Sequence, residues 1–180
     1  ALQTEQGNPY LKEAVSFPEH EIELFFDVET DPMRDICYLH GFVERAGGSG
    51  GTERYVAFFA EAATDEDDER AFAEAVQYVK EKQPCSIYYY SPYERTIWRA
   101  LRKKFPHVAT EDDIEAVFDR ATAIDLYLHV VKSKTEWPTR DFSIKSLASY
   151  LGFDWRDSNP SGAAAIEWYH KWTETNDPTI

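Results

Sequence analysis

The sequence predicts an α/β domain built on a mixed sheet of about five strands, three antiparallel and then parallel, with helices on both faces. First, three β-type segments follow one another with a short glycine-rich link, which is typical of an antiparallel meander. Second, later β-type segments alternate with amphipathic helices, as parallel strands joined by crossovers require. Third, 180 residues suffice for one domain with a substantial core and leave little room for another.

The antiparallel part of the sheet is predicted near the beginning of the chain, after a polar lead-in or linker over residues 1–20. Runs of apolar and β-forming residues mark strands at 22–28, 35–45 and 54–60. The glycine-rich segment 47–51 has no following Gly-Lys-Ser/Thr and no helix start, so it predicts a flexible hairpin tip and not a phosphate-binding loop.

Helices and parallel strands are predicted in the rest of the chain. The acidic run 64–69 is typical of a first helical turn, and Phe72, Val76 and Val79 then recur at helical spacing to about residue 82. The segments that follow are a strand at 85–90, a helix from 91 to about 105, a short helix from 110, a strand at 123–126 that leads into a helix, and helices that begin at Ser143 and Ser161.

Composition narrows the classes of function. Nineteen basic against 33 acidic side chains give a net charge of −14, which disfavours general binding to a nucleic-acid backbone but suits a site that chelates divalent metals. Cys37 and Cys85 lack the spacing of metal ligands, so both are predicted to be buried and to act as apolar side chains. Free cysteines of this kind predict a reducing cytoplasm as the location of the protein. The sequence shows neither a membrane-span-length apolar run nor an export signal, and its start without Met is compatible with a piece of a longer polypeptide.

A pair of carboxylates ends the first predicted strand. Asp27 and Glu29 follow an apolar run and are two residues apart, so on a strand they point to the same face and can converge on one cation. The alternative is an ordinary strand end with solvated acids, and for an isolated pair of this kind that alternative is favoured.

Glu94 is the third candidate carboxylate. It follows a strand expected to run parallel to the first, which would bring it to the same sheet edge as Asp27 and Glu29. The alternative is a helix capping box with Ser91 at the N-cap and Pro92 at the first helical position. Three carboxylates at neighbouring strand ends suit phosphodiester hydrolysis with two Mg²⁺ or Mn²⁺ ions about 3.5 to 4 Å apart.

Several stretches, taken together, resemble a known family. The segment Phe-Phe-Asp-Val-Glu at 25–29 resembles the first motif of the DEDD, or DnaQ-like, 3′-5′ exonucleases of the ribonuclease H-like superfamily. Tyr-Ser-Pro-Tyr-Glu-Arg at 90–95 resembles the YprB-type domain, which is found attached to or near RecB-like nuclease domains. The segments 144–148 and 151–153, and Ser-Gly at 161–162 before a helix with Trp168 and Tyr169, extend the resemblance over about residues 21–172.

The resemblance implies a ribonuclease H-like nuclease domain over residues 21–175, with a tail at 176–180. It implies a two-metal-ion 3′-5′ exonuclease on single-stranded DNA or RNA, in which Asp27, Glu29 and Glu94 are catalytic and bind the metals. An alternative is a catalytically weakened or inactive module that binds nucleic acid or a RecB-like nuclease domain in the same or an associated chain.

The third motif departs from the family pattern. Ser161 stands where the last metal-binding Asp is expected, and Asp157 falls near the position of the water-activating residue. Asp157 is therefore the candidate fourth catalytic and metal-binding residue. Glu167 and Asp125 are kept in reserve, with a solvated helix position and a helix cap as their respective alternatives.

Basic side chains form two groups that could guide a nucleic-acid strand or merely solvate helix faces. The first is Arg95, Arg99, Arg102, Lys103 and Lys104, and the second is Lys132, Lys134, Arg140 and Lys145. Aromatic side chains nearby could stack on unpaired bases, but most are expected in the core, since Tyr93 shares helical spacing with Ile97 and Leu101 and is predicted to point inward. None of the histidines is predicted to transfer protons, and His40 is predicted to be packed or paired.

Overall fold

The computed structural model of the protein describes residues 7–48, 50–155 and 161–177. The strands within these residues are β1 (Tyr10–Leu11), β2 (Ile22–Asp31), β3 (Ile36–Ala46), β4 (Thr52–Phe59), β5 (Cys85–Tyr89), β6 (Ala123–Asp125) and β7 (Thr135–Glu136). The helices are α1 (Asp65–Lys82), α2 (Tyr93–Lys104), α3 (Glu111–Val117), α4 (Lys132–Lys134), α5 (Ile144–Tyr150) and α6 (Gly162–Thr175), and Tyr127–Val131 forms a π-helical segment.

The central sheet has the strand order β4-β3-β2-β5-β6. Strands β2, β3 and β4 pair antiparallel, whereas β2, β5 and β6 run parallel, so the predicted fold class is confirmed. Leu24 pairs with Ile87, and Tyr89 pairs with Asp125. The carboxyl ends of β2, β5 and β6 therefore meet at one edge of the sheet.

The main core lies between one face of this sheet and helices α1, α2 and α3. Leu24, Phe26 and Val28 alternate toward it from β2, and the ring of Phe26 stacks on Phe42 with centroids 4.7 Å apart. On α2 the buried positions are Glu94, Trp98 and Leu101, which lie at i, i+4 and i+7 on one helix face.

The orientation of α2 corrects one prediction from the sequence. Helical spacing from Ile97 and Leu101 predicted that Tyr93 would also point inward, but Tyr93 is 46% exposed and Trp98 is fully buried. The helix begins at Tyr93 and not at Ser91, and it is rotated so that the face with Trp98 packs against Phe26. This rotation also carries Glu94 inward.

Trp98 pairs with one ring nitrogen of buried His40, in line with the packed or paired role predicted for it, whereas His40 Nε2 has no hydrogen-bond partner among the described residues. Its indole Nε1–H donates to His40 Nδ1 over 3.1 Å, and both side chains are fully buried. Burial lowers the pKa of His40 to about 3, because the charged imidazolium would lose its hydration, so this histidine stays neutral.

We expect Trp98→Phe to lower the free energy of unfolding by about 2 kcal/mol, because it leaves a small cavity and removes the indole N–H donor to His40 Nδ1. Urea denaturation would measure the loss. The matched control is Trp155→Phe, the same change at a side chain that is 41% exposed. Equal effects of the two substitutions would contradict the role of the buried hydrogen bond.

Helix α6 covers part of the opposite face of the sheet. Tyr169 stacks on Tyr38 with ring centroids 4.3 Å apart, and Trp172 meets Phe59 edge-on at 4.9 Å. His170 Nε2 lies 2.7 Å from Asp31 Oδ2 at the end of β2, so a polar contact ties α6 to that strand. Helices thus cover both faces of the sheet, as predicted.

The segment before β2 contacts the domain through β1 and through residues 17–20. Strand β1 pairs antiparallel with β7, and residues 17–20 lie beside β5, where the Ser86 hydroxyl donates to the carbonyl of Pro18 over 3.1 Å. The ring of Phe17 meets Tyr88 edge-on at 5.7 Å. Among the helices described, none has both the length and the apolar character needed to cross a bilayer.

Candidate metal centre at the carboxyl edge of the sheet

Strand β2 places Asp27 and Glu29 on the sheet face opposite the main core. Asp27 is exposed and its Oδ1 accepts the Val28 N–H over 3.0 Å, while Glu29 is half-buried. Partial desolvation raises the pKa of Asp27, against a smaller opposing effect of the Val28 N–H. The pKa of Glu29 is raised mainly by desolvation and, to a smaller extent, by the negative charge of Asp27, whereas the positive charge of Lys145 opposes this rise. The two carboxylates repel each other, so a shared cation would relieve unfavourable charge.

Glu94 is buried at the start of α2, where it heads the inward face of that helix. Only 3% of the residue is exposed, and its Oε2 has no hydrogen-bond partner within the part of the chain that the structure describes. Burial raises the pKa of Glu94 to about 7, helped by the charges of Asp27 and Asp125 and opposed by the N–H groups of Glu94 and Tyr90. Glu94 and Asp27 are thus electrostatically coupled across the parallel pair β2–β5.

The capping-box alternative for Glu94 is wrong. The N-cap residue is Pro92, which has no side chain able to cap, and the Ser91 hydroxyl accepts the Tyr93 N–H over 3.3 Å. Ser91 has a φ of 108°, a conformation that L-residues rarely adopt. The chain turns sharply here because the Ser91 N–H is held by Asp125 Oδ1 over 3.2 Å.

Asp125 is the last residue of β6, and its side chain accepts hydrogen bonds from nearby backbone N–H groups. It is 2% exposed, and its Oδ1 accepts N–H groups from Ser91 at 3.2 Å and from Leu128 at 2.9 Å. The second bond caps the segment that follows β6, in agreement with the helix-cap alternative. Asp125 therefore supports the turn that carries Glu94 into place, and its charge reaches Glu94.

Tyr55 lies on the same face as Asp27, and the sequence did not single it out. Asp27 pairs with Gly41 on β3, and the Tyr55 hydroxyl from β4 lies 3.1 Å from where a Cβ at position 41 would be. The glycine therefore lets the Tyr55 ring lie across β3 toward Asp27. Burial, then the charges of Asp27 and Glu29, raise the pKa of Tyr55. The alternation of side chains along β4 could have predicted the sheet face on which Tyr55 lies. Its proximity to Asp27 depends on the register in which the strands pair, which the sequence does not specify.

Glu167 and Ser161 have other partners within the described residues. Glu167 on α6 is exposed and pairs with Lys171 over 3.1 Å, which agrees with its solvated alternative. Ser161 is the N-cap of α6 and accepts the Ala164 N–H over 3.1 Å. Asp157, the candidate fourth ligand, lies outside the described residues.

The first basic group is largely engaged with neighbouring acids. Arg99 forms a bidentate pair with Glu115 at 2.6 Å, and Lys104 contacts Asp68 at 3.0 Å. Ion pairs of this kind favour the solvated-face interpretation for α2. In the second group, Lys145 has a charge that reaches Glu29, and its Nζ lies 5.9 Å from the centroid of the Trp155 ring.

The donor chemistry fits a divalent cation, although the set of ligands is incomplete. An unpaired buried oxygen on Glu94 and an exposed carboxylate on Asp27 are hard donors of the type that Mg²⁺ and Mn²⁺ prefer. Within the described part of the chain, however, no three His, Cys, Asp or Glu side chains come together closely enough to hold a metal ion. Asp27, Glu29 and Glu94 are therefore coupled by charge without forming a closed site.

Comparison with known proteins gives one match. The family model for the RNase H superfamily matches residues 24–180, which include most of β2 and every later element of the fold. Neither the curated proteins nor the solved structures contain a significant match to this chain.

Proposed function

Because the chain belongs to the RNase H superfamily, whose members are generally hydrolytic nucleases with divalent metals, we propose that it is a Mg²⁺- or Mn²⁺-dependent 3′-5′ exonuclease. The substrate proposed is single-stranded DNA or RNA. The observation that carries this proposal is the buried Glu94 Oε2, which has no partner among the described residues and follows β5, the strand parallel to the β2 strand that bears Asp27 and Glu29. The order of the motifs supports placement among the DEDD exonucleases, near the YprB type.

In this proposal Asp27, Glu29 and Glu94 hold two metal ions, and Asp157 is the fourth ligand. Bound divalent ions supply activation of water and stabilisation of the leaving oxygen in phosphodiester hydrolysis. Glu94 must lose its proton before it can bind a cation, and its pKa of about 7 makes metal binding weaken as the pH falls below neutrality. Asp125 and the N–H of Ser91 keep the turn before Glu94 in position.

The polarity of cleavage can be tested with oligonucleotides labelled at either end. With Mn²⁺ or Mg²⁺, we expect 5′-labelled single strands to shorten stepwise, whereas a 3′ label is released at once as a mononucleotide. A chelator should stop both reactions. Cleavage of a circular single strand would contradict an exonuclease and indicate an endonuclease instead.

A second function is favoured by the N-terminus of α6. Ser161 caps this helix where the family places a metal-binding Asp, so the described residues do not complete a metal centre. The alternative is a module that binds nucleic acid or a RecB-like nuclease domain without cutting. Co-purification with such a domain, together with the absence of metal-dependent cleavage, would favour this alternative.

A further inference from the structure

An aromatic cavity opens beside Glu29, between α6 and the sheet. Its volume is about 580 Å³, and its principal lining residues are Glu29, Leu39, Phe59, Trp168 and Trp172. Cavities of about 300 to 1,000 Å³ with mainly apolar walls are typical sites for small ligands or parts of larger ones.

The floor of this aromatic cavity is built from three neighbouring strands. Glu29 pairs with Leu39, and Leu39 pairs with Phe59, so the three side chains lie in a row across β2, β3 and β4. Because adjacent strands are about 4.8 Å apart, the apolar floor begins roughly 5 Å from the backbone of Glu29. A bulge between Glu29 and Thr30 shifts the register at this point, and Tyr38 joins the cavity lining.

The walls differ in how firmly they are packed. Trp172 is held edge-on against Phe59 at 4.9 Å, and Tyr169 is stacked on Tyr38 at 4.3 Å. Trp168 is 39% exposed, and no aromatic ring within the described residues packs on it. The cavity thus has a firmly packed aromatic side and, at its rim, one tryptophan that no described aromatic ring contacts.

We propose that the aromatic cavity binds a nucleobase of the substrate strand, stacked on Trp168, next to the phosphate that lies at Asp27 and Glu29. This inference rests on the proposed nuclease function. An aromatic face stacks on any base, which suits a nuclease that moves along a strand without reading its sequence. An apolar peptide side chain is a poorer occupant, because filling the cavity with it would desolvate the carboxylate of Glu29 without a compensating partner.

The test is equilibrium binding of 5′-fluorescein-labelled single strands by the full chain, with Ca²⁺ as the divalent ion. One series of strands carries an abasic residue at each position in turn from the 3′ end. We expect one position near that end at which removal of the base weakens binding about 10-fold. Trp168→Ala should weaken binding of the intact strand by a similar factor and leave binding of that particular abasic strand unchanged.

Two variants keep the result interpretable. Trp168→Phe retains a ring and should recover most of the binding, and Tyr10→Ala removes an exposed aromatic ring on β1 and should have no effect. Equal binding of all abasic strands would overturn the base site, even if Trp168→Ala failed to fold. If removal of one base weakens binding but no Mn²⁺- or Mg²⁺-dependent cleavage occurs, the base site is supported and the exonuclease proposal is refuted. If cleavage depends on Asp27 but all abasic strands bind equally, the exonuclease is supported and the base site is refuted.

Discussion

Replacing Asp27 by Asn is expected to reduce metal-dependent cleavage of single-stranded nucleic acid by at least about 100-fold, because the loss of one anionic metal ligand removes several kcal/mol of transition-state stabilisation. The fold should remain intact. Asp27 is exposed, and an Asn side-chain oxygen can still accept the Val28 N–H that Asp27 accepts at 3.0 Å. Initial rates with Mn²⁺ and Mg²⁺, at matched protein concentration, give the measurement.

The control for this substitution is Asp112→Asn, the same chemical change at an exposed position in the first turn of α3. It should retain wild-type activity. If Asp27→Asn also retained wild-type activity, the centre at the edge of β2 would not be the catalytic one. A loss of activity accompanied by a large drop in the urea midpoint would instead indicate that Asp27 acts on folding.

Replacing Glu94 by Gln is expected to stabilise the metal-free protein by about 3 kcal/mol above pH 7, and to have little effect near pH 4.5. The folded-state pKa of Glu94 is raised from 4.5 to about 7, so the folded state binds this proton more tightly than the unfolded state. Stability of the wild type therefore falls as the pH rises through this window, and above pH 7 the cost of the buried carboxylate is complete. Gln is neutral at every pH and avoids that cost.

Urea denaturation in a chelating buffer, near pH 4.5 and above pH 7, measures the difference for Glu94→Gln. Glu13→Gln serves as the control, because Glu13 is exposed and should show the same stability as the wild type at both pH values. Coincident curves for Glu94→Gln and the wild type above pH 7 would contradict the desolvation of Glu94. Divalent metal should raise the stability of the wild type more than that of the variant, since only the wild type keeps the anionic ligand.

The main features of the fold could be predicted from the sequence, because they depend on local patterns. The apolar, β-forming run that contains Leu24, Phe26 and Val28 predicts a strand, and an acidic first turn followed by helical spacing predicts α1. The meander and the crossover then follow from the order and the length of the connections. The prediction for the face of α2 failed at Tyr93, because the rotation of the helix follows the packing of Trp98 against Phe26, a contact that local spacing does not specify.

For the candidate site, the sequence by itself determined which carboxylates could share an edge: Asp27 and Glu29 through the period of a strand, and Glu94 through the expected parallel pair. Only the tertiary structure decided how Glu94 is placed, because its local surroundings favour a capping role, whereas packing of Trp98 against Phe26 turns it inward. Tyr55 over Gly41 and the aromatic cavity beside Glu29 also depend on strand register and on the docking of α6. These contacts join residues far apart in the chain, and their geometry is set by packing, which no local pattern specifies.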